Sequence, residues 1–256
     1  MSNYIYATLL SSVDYITPVI LLNKSIRKYC SFPLLVLITN NISEQCIPIL
    51  KKQNIKYKII NFIEYSKDFQ NENKNSYLLN IASKFGVFTL TEYDKVVYLD
   101  ADAILFESLD ELFNYKDGSL IDDGSGNEQG FCGMFVCCPK YHPLDFYIHL
   151  VQNLNVMECD VIEKLWKPFY QNPDYRIPHY YFYNITTENM ETYCKDNHIH
   201  ALHFCYKYKP WNYETLQDYF NAFAELNKPF SGQRYLMVEA YFTDYLIPFR
   251  EELRYD

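Results

Sequence analysis

The residues best suited to chemistry sit in one short run, Lys95-Val-Val-Tyr-Leu-Asp100-Ala101-Asp102-Ala-Ile-Leu. An apolar segment ends in two carboxylates one residue apart, and a second apolar segment follows at once. Aspartates at positions i and i+2, where a strand ends and the chain turns, can address one hard divalent cation. Such a cation prefers oxygen ligands and can complete its shell with the oxygens of a diphosphate. The same pair could instead cap turns or solvate the strand end, since Asp-x-Asp tripeptides are common; the apolar flanks favour the metal reading. A second run lies further on, Ala201-Leu-His203-Phe-Cys-Tyr-Lys-Tyr-Lys209-Pro-Trp211-Asn-Tyr213. Its histidine can ligate a cation through one imidazole nitrogen, and its lysine can neutralise charge building on a leaving diphosphate. Taken singly, such a histidine also reads as a core or surface residue, and such a lysine as part of a solvated turn.

These side chains need a scaffold, and the first hundred residues supply the pattern of one. Short β-branched or aromatic runs alternate with segments of helical spacing, the βαβ signature of a parallel sheet. Strands are expected at Tyr4 to Leu9, Leu34 to Thr39, Tyr57 to Phe62 and Lys95 to Leu99, with helices over Thr17 to Tyr29, Glu44 to Gln53 and Tyr77 to Leu90. Crossovers of this kind gather the C-terminal ends of the strands on one edge of the sheet, where open α/β sheets bind ligands, and Asp100 falls at such an end. Beyond it, Asp117 to Gly130 reads as a polar loop, Phe131 to Cys138 as an apolar strand and Pro143 to Asn153 as a helix. Lys167 to Pro210 reads as mixed short strands and loops, and Leu216 to Leu226 and Leu236 to Phe249 as helices.

Composition narrows the function classes. The 256 residues are 49% hydrophobic and 21% charged with only 7 glycines, the profile of a globular chain. A formal charge of -9 argues against a nucleic-acid groove, which needs concentrated positive surface to displace counterions. The start, MSNYIYATLLSSVDY, lacks the basic region and apolar run of a secretory signal, and no run of about 18 apolar residues offers a membrane span. A cytoplasmic protein is therefore expected. The eight cysteines form no C-x-x-C pair, so all are expected to be reduced and mostly buried, with neither a structural zinc nor a disulfide framework.

In order along the chain, these motifs resemble the glycogenin-type glycosyltransferases of glycosyltransferase family 8. The resemblance runs from Tyr4 to Tyr213. It rests on Ala7-Thr8-Leu9 with Asp14-Tyr15, Lys84 followed by Thr89-Leu-Thr-Glu-Tyr93, Tyr98-Leu-Asp100-Ala-Asp102, Gly133-Met-Phe-Val136, Tyr183-Asn184, and His203-Phe204 with Lys209-Pro-Trp211-Asn-Tyr213. It implies a GT-A fold, α/β and Rossmann-like, with a mostly parallel central sheet flanked by helices. A single domain over residues 1–256 is expected, with 1–102 as the nucleotide-binding half, 103–213 as the sugar and acceptor half and 214–256 as C-terminal helices.

The resemblance also assigns roles. Thr8 and Leu9 would line the base pocket, Tyr15 would stack on uracil, and Lys84 would meet the donor's sugar or phosphate. Asp100, Asp102 and His203 would bind manganese, with magnesium as the substitute, and Ala101 and Gly133 complete the donor site. Lys209 would contact the diphosphate and stabilise its charge. Where the family usually reads Asn-Ser-Gly this chain has Phe131-Cys132-Gly133, and where Gly-Asp-Gln-Gly is usual it has Glu158-Cys159-Asp160-Val161. Asp160 is expected to be the carboxylate that contacts the sugar. The implied activity is metal-dependent transfer of a hexose, glucose first among them, from a UDP-sugar to a glycan, protein or small-molecule hydroxyl with retention of configuration. Two alternatives stand beside it: a UDP-sugar-binding protein with impaired catalysis, and a self-glucosylating primer, which would need a tyrosine such as Tyr193 presented within a homodimer.

Overall fold

The computed structural model describes residues 2–74, 77–122, 130–185, 198–205, 207–224 and 232–254. Tyr193 and Tyr206 lie outside them, as does most of the polar loop expected between Asp117 and Gly130.

The alternation of apolar runs and helical segments folds as the sequence predicts. Strand β1 (Tyr4–Leu10) leads into helix α1 (Ile16–Tyr29), β2 (Leu34–Thr39) into α2 (Ser43–Lys52), and β3 (Lys56–Ile60) into the short α3 (Lys67–Glu72) and a 3-10 helix over Tyr77–Thr89. The last was expected as an α-helix; it is helical but more tightly wound. Gly86 on it faces Ile60 so closely that a Cβ there would lie 2.4 Å from the Ile60 side chain, and glycine allows this approach. Strand β4 (Lys95–Leu99) follows, then β5 (Ala103–Leu105), β6 (Ser119–Asp122) and β7 (Gly130–Cys137).

Among the described residues the main sheet has seven strands in the order β3-β2-β1-β4-β7-β6-β8, where β8 is Arg176–Ile177. β3, β2, β1 and β4 run parallel, β7 runs antiparallel to both its neighbours, and β6 pairs with β8 in parallel. β1, next to the central β4, is buried along nearly its whole length because helices cover both faces. Alternate residues of each strand enter opposite cores, as a period of two requires. On one face Tyr6, Leu10, Val97 and Leu99 meet Val19, Leu22 and Ile26 of α1. On the other, Ile5, Ala7, Tyr98 and Phe135 meet Phe85, Tyr147 and Trp166, the last two from α4 (Leu144–Asn153) and α5 (Glu158–Tyr170).

Helix α5 was not anticipated from sequence. Its apolar positions Val161, Ile162, Leu165 and Trp166 have helical spacing, but Pro168 and the adjoining Pro173 mask the signal. A second, three-stranded sheet in the order β5-β10-β9 joins β5 to β10 (Ala201–His203) and β9 (Tyr183–Asn184). Helix α6 (Leu216–Ala224) and a helical stretch over Gly232–Arg254 close the chain.

Phe135 is fully buried, stacked on Tyr98 at 4.8 Å and edge-on to Trp166 at 5.4 Å. Phe135→Ala should lower unfolding free energy by about 3–5 kcal/mol, read from urea denaturation; a loss of roughly a quarter of that would mean the ring is not packed between Tyr98 and Trp166.

Candidate active site

The two aspartates follow β4 directly, where the main sheet hands the chain to the small one. Strand β10 pairs antiparallel with β5, placing His203 opposite Ala103, and the backbone N–H of Phe204 donates to the Asp102 carbonyl at 2.8 Å. That register brings the imidazole to the carboxylates. His203 Nε2 lies 3.1 Å from Asp102 Oδ1 and 3.9 Å from Asp100 Oδ2. Parallel pairing of β9 with β10 sets Asn184 beside His203, whose Nδ1 donates to Asn184 Oδ1 at 2.6 Å. The imidazole Nε2 and the carboxylate oxygens converge, and these candidate ligand atoms all lie within 4.8 Å of one another. Such a group of electron-pair donors, its imidazole oriented by a neighbouring amide, fits a divalent cation.

Two lysines balance the aspartates. Lys209, in the turn before Pro210–Asn212, donates to Asp102 Oδ2 at 2.5 Å and also to the Phe204 carbonyl. Lys84, on the 3-10 helix and 3% exposed, lies 3.1 Å from Asp100 Oδ1 and 3.3 Å from Glu158 Oε1. Burial would raise the carboxyl pKa of Asp102, but Lys209 and His203 with their hydrogen bonds outweigh it and hold the group below the usual range. For Asp100 burial prevails over Lys84 and His203, and its pKa is raised. Burial opposes the Lys84 ammonium, yet Asp100 and Glu158 together raise its pKa.

A cavity of about 400 Å³, of the size that takes a small ligand, opens onto these groups. Of the residues the sequence singled out, Leu9, Tyr15, Lys84, Asp100, Ala101, Asp102, His203 and Lys209 line it. The Tyr15 ring meets Trp211 edge-on at 5.4 Å, with the Lys209 ammonium 5.9 Å from its centroid. Burial, then Asp102, pushes its phenol up to about 12, so the ring stays neutral.

Three expected residues are placed elsewhere. Thr8 is fully buried behind the lining, and its hydroxyl has no hydrogen-bond partner among the described residues. Gly133 also lies behind the lining, its carbonyl accepting from Asp100 N at 2.8 Å. A Cβ on it would come within 2.2 Å of the Phe131 ring, so its part is to leave room for Phe131, which lines the cavity.

Asp160 is exposed, and its carboxylate accepts from the Met157 backbone N–H at 3.1 Å, closing the first turn of α5 as a helix cap. The acidic group that this turn gives to the cavity is Glu158, wholly buried, bonded to Tyr65 Oη at 2.7 Å and ion-paired with Lys84. A residue at N1 and one at N3 of a helix point to different sides, so the two-residue slip between Glu158 and Asp160 decides which enters. Met157, Glu158 and Cys159, with Leu78, Asn80 and Ile81 from the turns before Lys84, are lining residues the sequence did not single out. The helical spacing of Asn80 and Lys84 could have suggested that segment, but α5 had to be known before Glu158 could be.

One cysteine expectation is overturned. Cys132 on β7 and Cys159 on α5 form a disulfide, because strand pairing and helix docking bring together residues separated by 27 positions in sequence. Cys30, Cys46, Cys137, Cys138 and Cys205 are not joined in disulfides.

The doubly covered, mostly parallel sheet with its aspartate pair at the end of β4 is the GT-A glycosyltransferase fold. The galactosyltransferase LgtC in complex with donor and acceptor sugar analogs superposes with a TM-score of 0.52 at 14% identity, over 92% of this chain and 99% of that one. Glycosyltransferase GlyE of Streptococcus pneumoniae TIGR4, in its apo form, gives 0.56 at 14% identity over 96% and 64%. Residues 7–121, just under half of the chain, match Glycosyl transferase family 8, and over them the chain is similar to that family.

Glycogenin-2 of Homo sapiens is 28% identical over 82% of this chain and 44% of its own length, and galactinol synthase 7 of Arabidopsis thaliana 33% over 45% and 35%. The chain thus spans less than half the length of either. Galactinol synthase 1 of Solanum lycopersicum is 28% identical over 85% of this chain and 77% of itself.

Asp160→Ala removes only a cap and should cost about 1 kcal/mol of unfolding free energy. Glu158→Gln leaves the buried Lys84 short of a counter-charge and should cost roughly 3 kcal/mol. Urea denaturation checks both, and the reverse order would return the inward carboxylate to Asp160.

Proposed function

We propose that the chain is a metal-dependent retaining glycosyltransferase that moves a hexose, glucose first among them, from a UDP-sugar to an acceptor hydroxyl. The observation that carries this reading is the convergence of Asp100, Asp102 and His203 with Lys209 on one cavity. The family supports sugar transfer, and the relatives' names divide between glycogenin and galactinol synthase, so galactose belongs beside glucose in any donor panel. Among the described residues no helix is long and apolar enough to cross a membrane. A cytoplasmic setting, a separate glycan, protein or small-molecule acceptor, and a homodimer if the chain modifies itself are part of the same proposal.

Asp100, Asp102 and His203 would hold manganese, or magnesium in its place, which when bound supplies positive charge to the donor diphosphate. Tyr15 and Leu9 offer an apolar wall to the uracil. Lys209 places an ammonium where the leaving diphosphate gathers charge, and a fixed cation in a partly dry cavity counts for more there than in water. Lys84 and Glu158 form a preset polar wall on the sugar side, donating and accepting hydrogen bonds without reorganisation.

Asp160, whose exposed carboxylate caps α5, takes no part in this reading. Glu158 has Tyr65 on one oxygen and Lys84 on the other, and so positions the sugar rather than attacking it. Retention then follows from attack by the acceptor on the face the diphosphate leaves.

In a thermal-shift series over UDP, UDP-glucose and UDP-galactose, stabilisation should appear with manganese and vanish with a chelator. Asp102→Ala should abolish manganese-dependent donor hydrolysis, and full activity in that variant would remove the centre of the reading. NMR of the first-formed product should show the donor's anomeric configuration; an inverted anomer would exclude same-face attack.

A further inference from the structure

The Cys132–Cys159 disulfide joins β7 to the first turn of α5, with its Cα atoms 5.5 Å apart. Each cysteine lies in one of the two segments where the sequence departs from the family pattern, so two departures along the chain are one covalent feature in space. The disulfide adjoins the charged groups of the cavity. Glu158 Oε1 is 3.2 Å from Cys159 Sγ, 3.9 Å from Cys132 Sγ and 3.3 Å from Lys84 Nζ. Lys84 Nζ in turn is 3.5 Å from Cys132 Sγ and 3.1 Å from Asp100. The two cysteines differ in access: Cys159 is half-buried and lines the cavity, whereas Cys132 is wholly buried.

We propose that this pair is a redox-sensitive clamp on the sugar side of the cavity, closed as the disulfide and opened by a dithiol reductant. Its effect on a donor rests on the function proposed above; its thiol chemistry does not. A thiolate of the reductant enters the cavity and attacks Cys159 Sγ. The Cys132–Cys159 bond breaks, a mixed disulfide forms at Cys159, and Cys132 leaves as a thiolate beside the Lys84 ammonium, which stabilises it. The reductant's second thiolate then attacks its own sulfur in the mixed disulfide. Cys159 is released as a thiolate and the reductant departs as a cyclic disulfide. The protein has gained two electrons and, after protonation of both thiolates, two protons; the dithiol has lost the same. Each new S–H finds Glu158 Oε1 as a nearby acceptor and competes with Lys84 for it, while the tether between β7 and α5 is gone. The sugar wall loosens, and the uracil wall, built on β1 and Tyr15, does not.

The test uses the full chain oxidised, or reduced with a dithiol and desalted. Iodoacetamide labelling with peptide mapping reads the thiols, and calorimetry with manganese plus UDP or UDP-glucose reads affinity. Oxidised chain should yield the Cys132–Cys159 cross-linked peptide with neither residue alkylated. Reduction should weaken UDP-glucose about five-fold, some 1 kcal/mol, and UDP by less than about two-fold. A Cys132→Ser, Cys159→Ser double variant should bind UDP-glucose equally under both treatments. Alkylation of both cysteines in oxidised chain would overturn the clamp. So would equal UDP-glucose affinity in the two wild-type states, or one zinc retained per reduced chain by Cys132, Glu158 and Cys159. Should neither UDP nor UDP-glucose bind in either state, the donor reading fails, and the clamp stands or falls on the alkylation map.

Discussion

The pairing of β5 with β10 holds the site together. Asp102 ends one side of a turn and His203 ends a strand a hundred and one positions later, and only the antiparallel register with His203 opposite Ala103 brings them to 3.1 Å. The same register presents Phe204 N to the Asp102 carbonyl and carries the chain on to Lys209, which returns to the Asp102 carboxylate. On the far side, β9 adds Asn184 to orient the imidazole. A slip of one residue in β10 would turn His203 to the opposite face and bring Leu202 or Phe204 to the aspartates.

This arrangement sets acidic side chains into a partly buried wall, which is costly unless each charge is answered. The answers are specific. Asp102 has Lys209 and His203, while Asp100 shares Lys84 with Glu158. The two aspartates consequently differ. Asp102 is held firmly ionised, whereas burial leaves the Asp100 carboxyl with a raised pKa. A cation entering between them therefore meets one carboxylate already committed to the charged form. Lys84 connects Asp100 to the first turn of α5 and to β7, since its ammonium touches Asp100, Glu158 and the carbonyl of Cys132. Changes around Cys132 and Glu158 are thus electrostatically coupled to Asp100.

Much of the fold was legible because local pattern and burial agree. β1, β2 and β4 are mostly apolar and lie inside the sheet rather than at its edges, and α1 keeps Val19, Leu22 and Ile26 on one side. The Asp100, Asp102, His203 and Lys209 cluster was legible as residue types, since the aspartates stand at the end of an apolar run and the other two follow in order. The cavity wall at the start of α5 was not. Helix α5 contains Pro168, is followed by Pro173, and has no residue-level mark separating Glu158, which points inward, from Asp160, which caps the helix. Gly133 looked like a donor contact and instead makes room for Phe131.

The sequence by itself determined the strands, the helix spacing around them and the chemical types that could hold a cation and a diphosphate, because those depend on periodicity and on side-chain chemistry along a few residues. Tertiary structure alone decided which carboxylate faces the cavity, that Lys84 bridges Asp100 and Glu158, and that Cys132 and Cys159 are one disulfide. Each of these depends on how β7, α5 and the 3-10 helix dock, and docking is fixed by the packing of Phe85, Phe135, Tyr147 and Trp166 in a shared core, whose contacts join residues far apart in the chain.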